Sequence, residues 1–199
     1  MSFLFWILLG YLAGSFPTGY LAARAFRGVD IRTFGSGNVG ATNVGRLMGK
    51  KWAVAVTLLD MIKASVGILC ARAAGVESSW TIAFTGFAGV CGHNFPLWLG
   101  FRGGKGVAST YGVVFFLHPP LSFFLAPAGG VIWFALLKLK GYVSLASLIS
   151  LWCLPGIAAA LSFPAPFLAL LTALAALSTT RHRDNIRRLF EGKESSFKK

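Results

Sequence analysis

The chain alternates long apolar runs with short stretches that are rich in glycine or in basic residues. That alternation decides what it can fold into. A helix that crosses a bilayer needs about 20 apolar residues. Runs of this kind extend from Phe3 to Ala23, from near Trp52 to Arg72, from Leu121 to Leu137 and from Val143 to Leu161. Shorter or less regular ones cover Trp80 to Cys91, Val107 to Leu117 and Phe167 to Leu177. Pro119-Pro120, Lys138-Leu139-Lys140-Gly141 and Phe163-Pro164-Ala165-Pro166 mark turns between them. The pattern predicts an all-α polytopic membrane protein with about seven transmembrane helices, some of them short or irregular. The third and fourth segments are candidates for re-entrant structure, which a membrane protein tolerates where the backbone lines a polar cavity. One integral-membrane domain over residues 1–199 is expected.

Charge supports this class and gives an orientation. Only 13% of residues are charged, against about 25% in an ordinary soluble domain. The net charge of +13 could suit nucleic acid. The positive mean hydropathy and the lack of a basic module interleaved with aromatics argue against that partner. With the N-terminus outside, every one of the 19 basic residues except Lys63 and Arg72 falls on the inner side. That bias predicts an outside N-terminus and a cytoplasmic C-terminus. The start Met1-Ser2-Phe3 lacks the basic region of a cleaved signal peptide. Cys70, Cys91 and Cys153 are scattered singly and read as small buried hydrophobes rather than as metal ligands.

Three polar islands interrupt the apolar sequence, and all three are expected on the cytoplasmic face. The first runs from Gly35 to Arg46 and contains Ser36, Gly37, Asn38, Thr42 and Asn43. Glycine lets a backbone approach a ligand closely, and successive N–H groups can form a nest for an anion. Arg46 adds a bidentate cation. The plainer alternative is a loop with glycine and asparagine as turn residues.

The second island, Phe101-Arg102-Gly103-Gly104-Lys105-Gly106, only superficially resembles a nucleotide-binding phosphate loop. The position of that pattern's first glycine is Leu99, and Gly106 follows the lysine where serine or threonine is required. A helix beginning near Val107 would still offer N-terminal amides to a phosphate, beside Lys105. A topogenic basic loop is the alternative. The third island, from Arg181 to Arg188, sets His182 and Asn185 three apart, on one face if the segment is helical. Its alternative is an interfacial helix that binds lipid headgroups. Asp60 and Lys63 lie three apart inside an apolar run and read as a structural ion pair. Gly86, Gly89 and Gly92 read as a close helix-packing face.

Taken together, the islands resemble the bacterial acyl-phosphate-dependent glycerol-3-phosphate acyltransferase family of the integral-membrane type. Ser36 to Arg46 is similar to its Ser-Gly-Asn-x-Gly-Ala-Thr-Asn-x-x-Arg motif. Gly92-His93-Asn94-Phe95-Pro96, with Gly103-Gly104-Lys105-Gly106-Val107-Ala108, resembles its second motif. His182, Asn185, Ile186, Arg188, Leu189, Gly192 and Glu194 resemble its C-terminal one. Arg102 stands where lysine is usual and Ser109 where threonine is frequent.

The resemblance implies transfer of an acyl group from acyl phosphate to the 1-hydroxyl of sn-glycerol 3-phosphate. The products would be lysophosphatidic acid and inorganic phosphate, in the first acylation of bacterial phospholipid synthesis. It implies membrane lipids as surroundings, the bacterial inner membrane as location, and no metal, other cofactor or coenzyme A. Consistent with that, no histidine is followed by the His-x4-Asp spacing of acyl-CoA-dependent glycerolipid acyltransferases. Ser36, Arg46 and Lys105 are implied phosphate and transition-state ligands, and His182 and Asn185 acceptor-orienting or oxyanion-stabilising groups. Gly37, Asn38, Thr42, Asn43, Gly103, Gly104 and Gly106 are implied to bind substrate. A rival class, a carrier of phosphorylated compounds, would need a midplane site open to both faces. The one-sided placement of the islands argues against it.

Overall fold

A computed structural model describes residues 1–197 as a helical protein in two compact units, Met1–Val113 and Val114–Lys199. Four stretches among the described residues are long and apolar enough to cross a membrane: Phe3–Arg27, Lys50–Ala73, Ser122–Lys140 and Val143–Ala160.

The first unit begins with α1 (Phe3–Gly14) and α2 (Thr18–Arg27). The sequence reads as a single run there, but the structure breaks it at Ser15-Phe16-Pro17. Proline has no N–H to continue the ladder, and it disfavours helical geometry in the residue before it. After a loop and one 3-10 turn come α3 (Ala41–Met48), α4 (Lys50–Ala73) and α5 (Ser79–Asn94). The start of α6 (Val107–Leu117) completes the unit.

Small residues set how these helices meet. In lipid, apolar burial does not drive helices together, so association depends on close packing. Gly14 of α1 lies against the backbone of Gly89 in α5, and Gly92 against Tyr11 and Ser15. Gly67 of α4 meets Gly10, and Gly112 of α6 meets the backbone at Met61. A Cβ at any of these glycines would overlap a neighbouring backbone. The expected packing role of Gly89 and Gly92 is therefore observed.

The second unit contains the end of α6, then α7 (Ser122–Lys140), α8 (Val143–Ala160), α9 (Ala165–Arg181) and α10 (Arg183–Phe190). Gly141 ends α7 in the left-handed conformation, the usual role of glycine just past a helix. Leu125, Leu151, Leu154, Phe167, Leu171 and Leu174 are fully buried. The segment after α10 turns back, and the Phe197 N–H donates to the Gly141 carbonyl at 2.7 Å.

Candidate active site

The first island folds as a loop stitched by its own amides, leading into α3. Gly35 and Gly37 have φ of +55° and +68°, which explains glycine at both. Asn43 is buried. Its amide donates to the carbonyls of Phe34 (2.9 Å) and Ile31 (3.3 Å), and its Oδ1 accepts the Ser36 N–H at 3.1 Å. Asn38 Oδ1 accepts the Gly40 N–H at 2.9 Å. These two asparagines thus build the loop. By contrast, Ser36, Thr42 and Arg46 are exposed, and their side chains carry no hydrogen bond or ion pair among the described residues. They are the groups this island can offer to a ligand.

The second island is laid directly on the C-terminal turn of α5. Gly103 N–H donates to the Asn94 carbonyl and Gly104 N–H to the His93 carbonyl, each at 3.1 Å. A Cβ on Gly104 would strike the His93 ring, and one on Gly103 the His93 carbonyl and the Pro96 ring. Gly106 has φ of +79° and lies against the buried Asn94 amide. The two leading glycines therefore spend their N–H groups on the preceding helix, capping carbonyls that the end of a helix leaves open. The Lys105 side chain and the amides that open α6 follow these glycines directly. The loop is also fastened to α1: Tyr11 OH donates to the Phe95 carbonyl at 2.8 Å, and Trp98 Nε1 donates to Ser15 Oγ at 3.0 Å.

Beneath this loop lies a buried polar cluster. Lys63 Nζ is 2.8 Å from Asp60 Oδ1, confirming the expected pair. Lys63 also donates to the Phe16 carbonyl at 2.6 Å, next to the break before Pro17. Thr18 Oγ1 donates to Asp60 Oδ1. His93 Nδ1 faces the same oxygen from 3.4 Å, an ion-pair distance without good hydrogen-bond geometry. Val39 of the first island and His93, Pro96 and Leu99 around the second line one small cavity with Asp60 and Lys63. The first two islands thus share a support. His93 carries no role of its own in the sequence pattern. An aspartate inside an apolar run demands partners, and His93, at the end of another such run, was the clue.

In the second unit, His182 ends α9 and caps α10 rather than lying within one helix with Asn185. It is buried, and its Nδ1 sits 2.8 Å from the Ser178 carbonyl. A carbonyl only accepts, so Nδ1 carries a proton in this contact. Asn185 Nδ2 donates to Glu194 Oε1 at 2.6 Å. Ser144 Oγ donates to the same oxygen at 2.7 Å, and Arg188 Nε to Oε2 at 2.8 Å. Burial pushes the Glu194 carboxyl up, but the donors Asn185, Ser144 and Arg188 outweigh it and hold it below the usual glutamate value. Ser144 is invisible in the sequence because a serine opening an apolar helix looks like any other.

The comparisons with known proteins agree with this geometry. Residues 4–192 match the family model described as glycerol-3-phosphate acyltransferase. The chain belongs to that family. It is 42% identical to the glycerol-3-phosphate acyltransferase of Aquifex aeolicus (strain VF5), covering 99% of this chain and 100% of the relative. Its fold matches the crystal structure of PlsY (YgiH), an integral membrane glycerol 3-phosphate acyltransferase, in the glycerol 3-phosphate form. The TM-score is 0.92 at 41% identity, covering 99% of this chain and 96% of that one. The lysophosphatidic acid form of PlsY matches with a TM-score of 0.90 at 40% identity, covering 98% and 95%. Membership makes the chain an integral-membrane acyltransferase of phospholipid biosynthesis.

Proposed function

We propose that this acyltransferase takes its acyl group from acyl phosphate and passes it to the 1-hydroxyl of sn-glycerol 3-phosphate. The products are 1-acyl-glycerol 3-phosphate and inorganic phosphate. The observation that carries the reading is the set of exposed polar groups left over once the first loop is built, Ser36, Thr42 and Arg46, with a second basic residue, Lys105, just before α6. Both substrates carry phosphate. PlsY has been crystallised in glycerol 3-phosphate and lysophosphatidic acid forms, which supports the acceptor and the product.

In this proposal the acceptor hydroxyl oxygen attacks the acyl carbon. The bond from that carbon to the bridging oxygen breaks, and phosphate leaves with the electron pair. An acyl phosphate is a mixed anhydride and already activated, so the chain need supply no nucleophile. Arg46 and Lys105 neutralise phosphate oxygens, and Ser36 adds a neutral donor. Gly37 and Thr42 flank the bound group. Asn38 and Asn43 hold the loop that presents it, as Gly103, Gly104 and Gly106 hold the second. His182 and Asn185 enter on their motif, as groups that orient the acceptor or stabilise the developing oxyanion. The hydroxyl proton passes to an oxygen of the donor phosphate, which is basic near neutral pH and travels with the donor. His182→Gln should then keep measurable turnover, with a pH profile that still follows the donor phosphate. Total loss of turnover with normal binding of both substrates would make His182 the base.

The whole chain serves as one acyltransferase domain in the bacterial inner membrane. Its seven crossings are α1, α4, α5, α6, α7, α8 and α9, with the N-terminus outside and the basic islands facing the cytoplasm. The test is a donor comparison with purified protein, in chelator, with glycerol 3-phosphate as acceptor. Lysophosphatidic acid should form from acyl phosphate without coenzyme A. Activity with acyl-CoA alone, or activity that chelation abolishes and metal restores, would overturn the reading.

A further inference from the structure

An aspartate, a lysine and a histidine sealed together among apolar helices are expensive to keep, and groups of this kind mark function more often than scaffolding. The reaction proposed above uses none of the three. The cavity among them has room for about one water molecule, too little for any substrate. Their task is therefore support, and the contacts show what is supported.

Asp60 is buried on α4 and holds three different segments through one oxygen. Thr18 brings in the start of α2, Lys63 the broken end of α1, and His93 the end of α5. Asp60 also offers its backbone carbonyl to Ser109 Oγ of α6 at 3.2 Å. The His93 ring is held between this carboxylate and Gly104, whose missing side chain it fills. The His93 carbonyl receives the Gly104 N–H. Lys105 follows directly and α6 begins two residues later. The lysine is thus delivered from a platform whose floor is His93 and whose anchor is Asp60.

We propose that Asp60 is a positioning residue that acts through His93 to set the Gly103–Gly106 loop, and with it Lys105, for a substrate phosphate. The alternative role, a plain ion pair with Lys63, makes a different prediction. Replacing a buried ion pair by neutral groups of similar size is commonly harmless or stabilising. The double variant Asp60→Asn with Lys63→Met should therefore restore everything if the pair is scaffolding. It should restore folding but not the loop if Asp60 works on His93.

The inference rests on the proposed function, and two readouts keep them apart. Amide hydrogen exchange at Gly103 and Gly104 reads the loop without any reaction. Steady-state kinetics with acyl phosphate and glycerol 3-phosphate reads its use. In Asp60→Asn, and equally in the double variant, exchange at both glycines should quicken. The KM for a phosphate-bearing substrate should rise about tenfold to a hundredfold, the range a displacement of about an ångström produces. The kcat at saturation should change much less. In a His93→Ala background, Asp60→Asn should add little further, since both changes remove one connection. Unchanged exchange in Asp60→Asn, full recovery in the double variant, or independent effects of the Asp60 and His93 changes would each overturn the inference. A wild-type protein that makes no product would overturn the reaction instead, leaving the exchange result to judge the loop.

Discussion

The glycine loop of the first unit rests on charges buried in the apolar span, whereas the C-terminal strap of the second unit is tied by a carboxylate whose cationic partner, Arg188, is open to solvent. Asp60 is 1% exposed and is paired with Lys63 in the same span. Glu194 is only half-buried and gathers Asn185, Ser144 and Arg188 from the tail and the start of α8. Both carboxylates are faced by three polar groups that do not all share one segment. They differ in what can loosen them. A network buried in the apolar span answers chiefly to the loss of a partner, while one with a solvent-open cation also answers to salt. Added salt should therefore loosen the strap before it loosens the loop that the first unit's network supports.

The largest effect should come from the two basic residues of the first unit's islands, Arg46 and Lys105. Arg46→Ala or Lys105→Ala should lower kcat/KM by about tenfold to a hundredfold or more, since hydrogen bonds to charged groups are worth about 1.5–3 kcal/mol. Folding, followed by thermal denaturation in detergent, should be unchanged. Wild-type kinetics in either variant would reduce that basic residue to a topological role.

Gly104→Ala comes next. Its new methyl meets the His93 ring, an overpacking of the kind that costs about 1–3 kcal/mol. Affinity for a phosphate substrate should fall while the second unit's exchange pattern stays as it was. Pairing it with His93→Ala, which empties the space, should relieve the clash at Gly104 as read by exchange. A Gly104→Ala protein with normal affinity would break the account of why this loop needs glycine.

The strap supplies the third, smaller effect, and its sign follows from Glu194. The carboxyl is held below its usual value in the folded protein. Its contribution is therefore complete above the unfolded value, about 4.3, and is lost as pH falls through the lower folded value. Exchange at the Phe197 amide, which donates to Gly141, should be slow at neutral pH and quicken in acid. Glu194→Gln should remove the acid dependence. A Phe197 amide that exchanges alike at neutral and acid pH, once intrinsic exchange is corrected for, would remove Glu194 as the tie that holds the strap.

The smallest effect is expected at Asp30. Arg32 beside it holds the carboxyl down to about 2. That pair lies at the surface, where ion pairs contribute little. Asp30→Asn should leave turnover almost unchanged in the standard assay, and a large loss would mean that the loop before the first island is more tightly coupled to it than its contacts show.

Much of this is legible in the chain. The apolar runs mark the helices, and the glycines and basic residues mark the three islands, because both depend on local composition. The break at Ser15-Phe16-Pro17 is hidden inside an apolar run, since hydropathy does not register a missing N–H. Asn38 and Asn43 look like ligand donors in sequence, yet they close the loop, because an amide serves either purpose and only the fold decides. The partners of Asp60 at positions 18 and 93, and those of Glu194 at 144 and 185, lie at separations that no local pattern encodes. Gly104 reads in sequence as room for a phosphate. The structure fills that room with His93, a packing demand that sequence cannot distinguish from a binding one.

The most direct measurement follows one oxygen atom through one turnover. Acyl phosphate labelled with heavy oxygen at the bridge between carbon and phosphorus is incubated with the purified protein and glycerol 3-phosphate, and both products are weighed by mass spectrometry. Lysophosphatidic acid and inorganic phosphate should appear in equal amounts, with the label in the phosphate, because the acceptor attacks carbon and the bridging oxygen leaves. No lysophosphatidic acid, or label retained in its ester, would contradict acyl transfer from acyl phosphate.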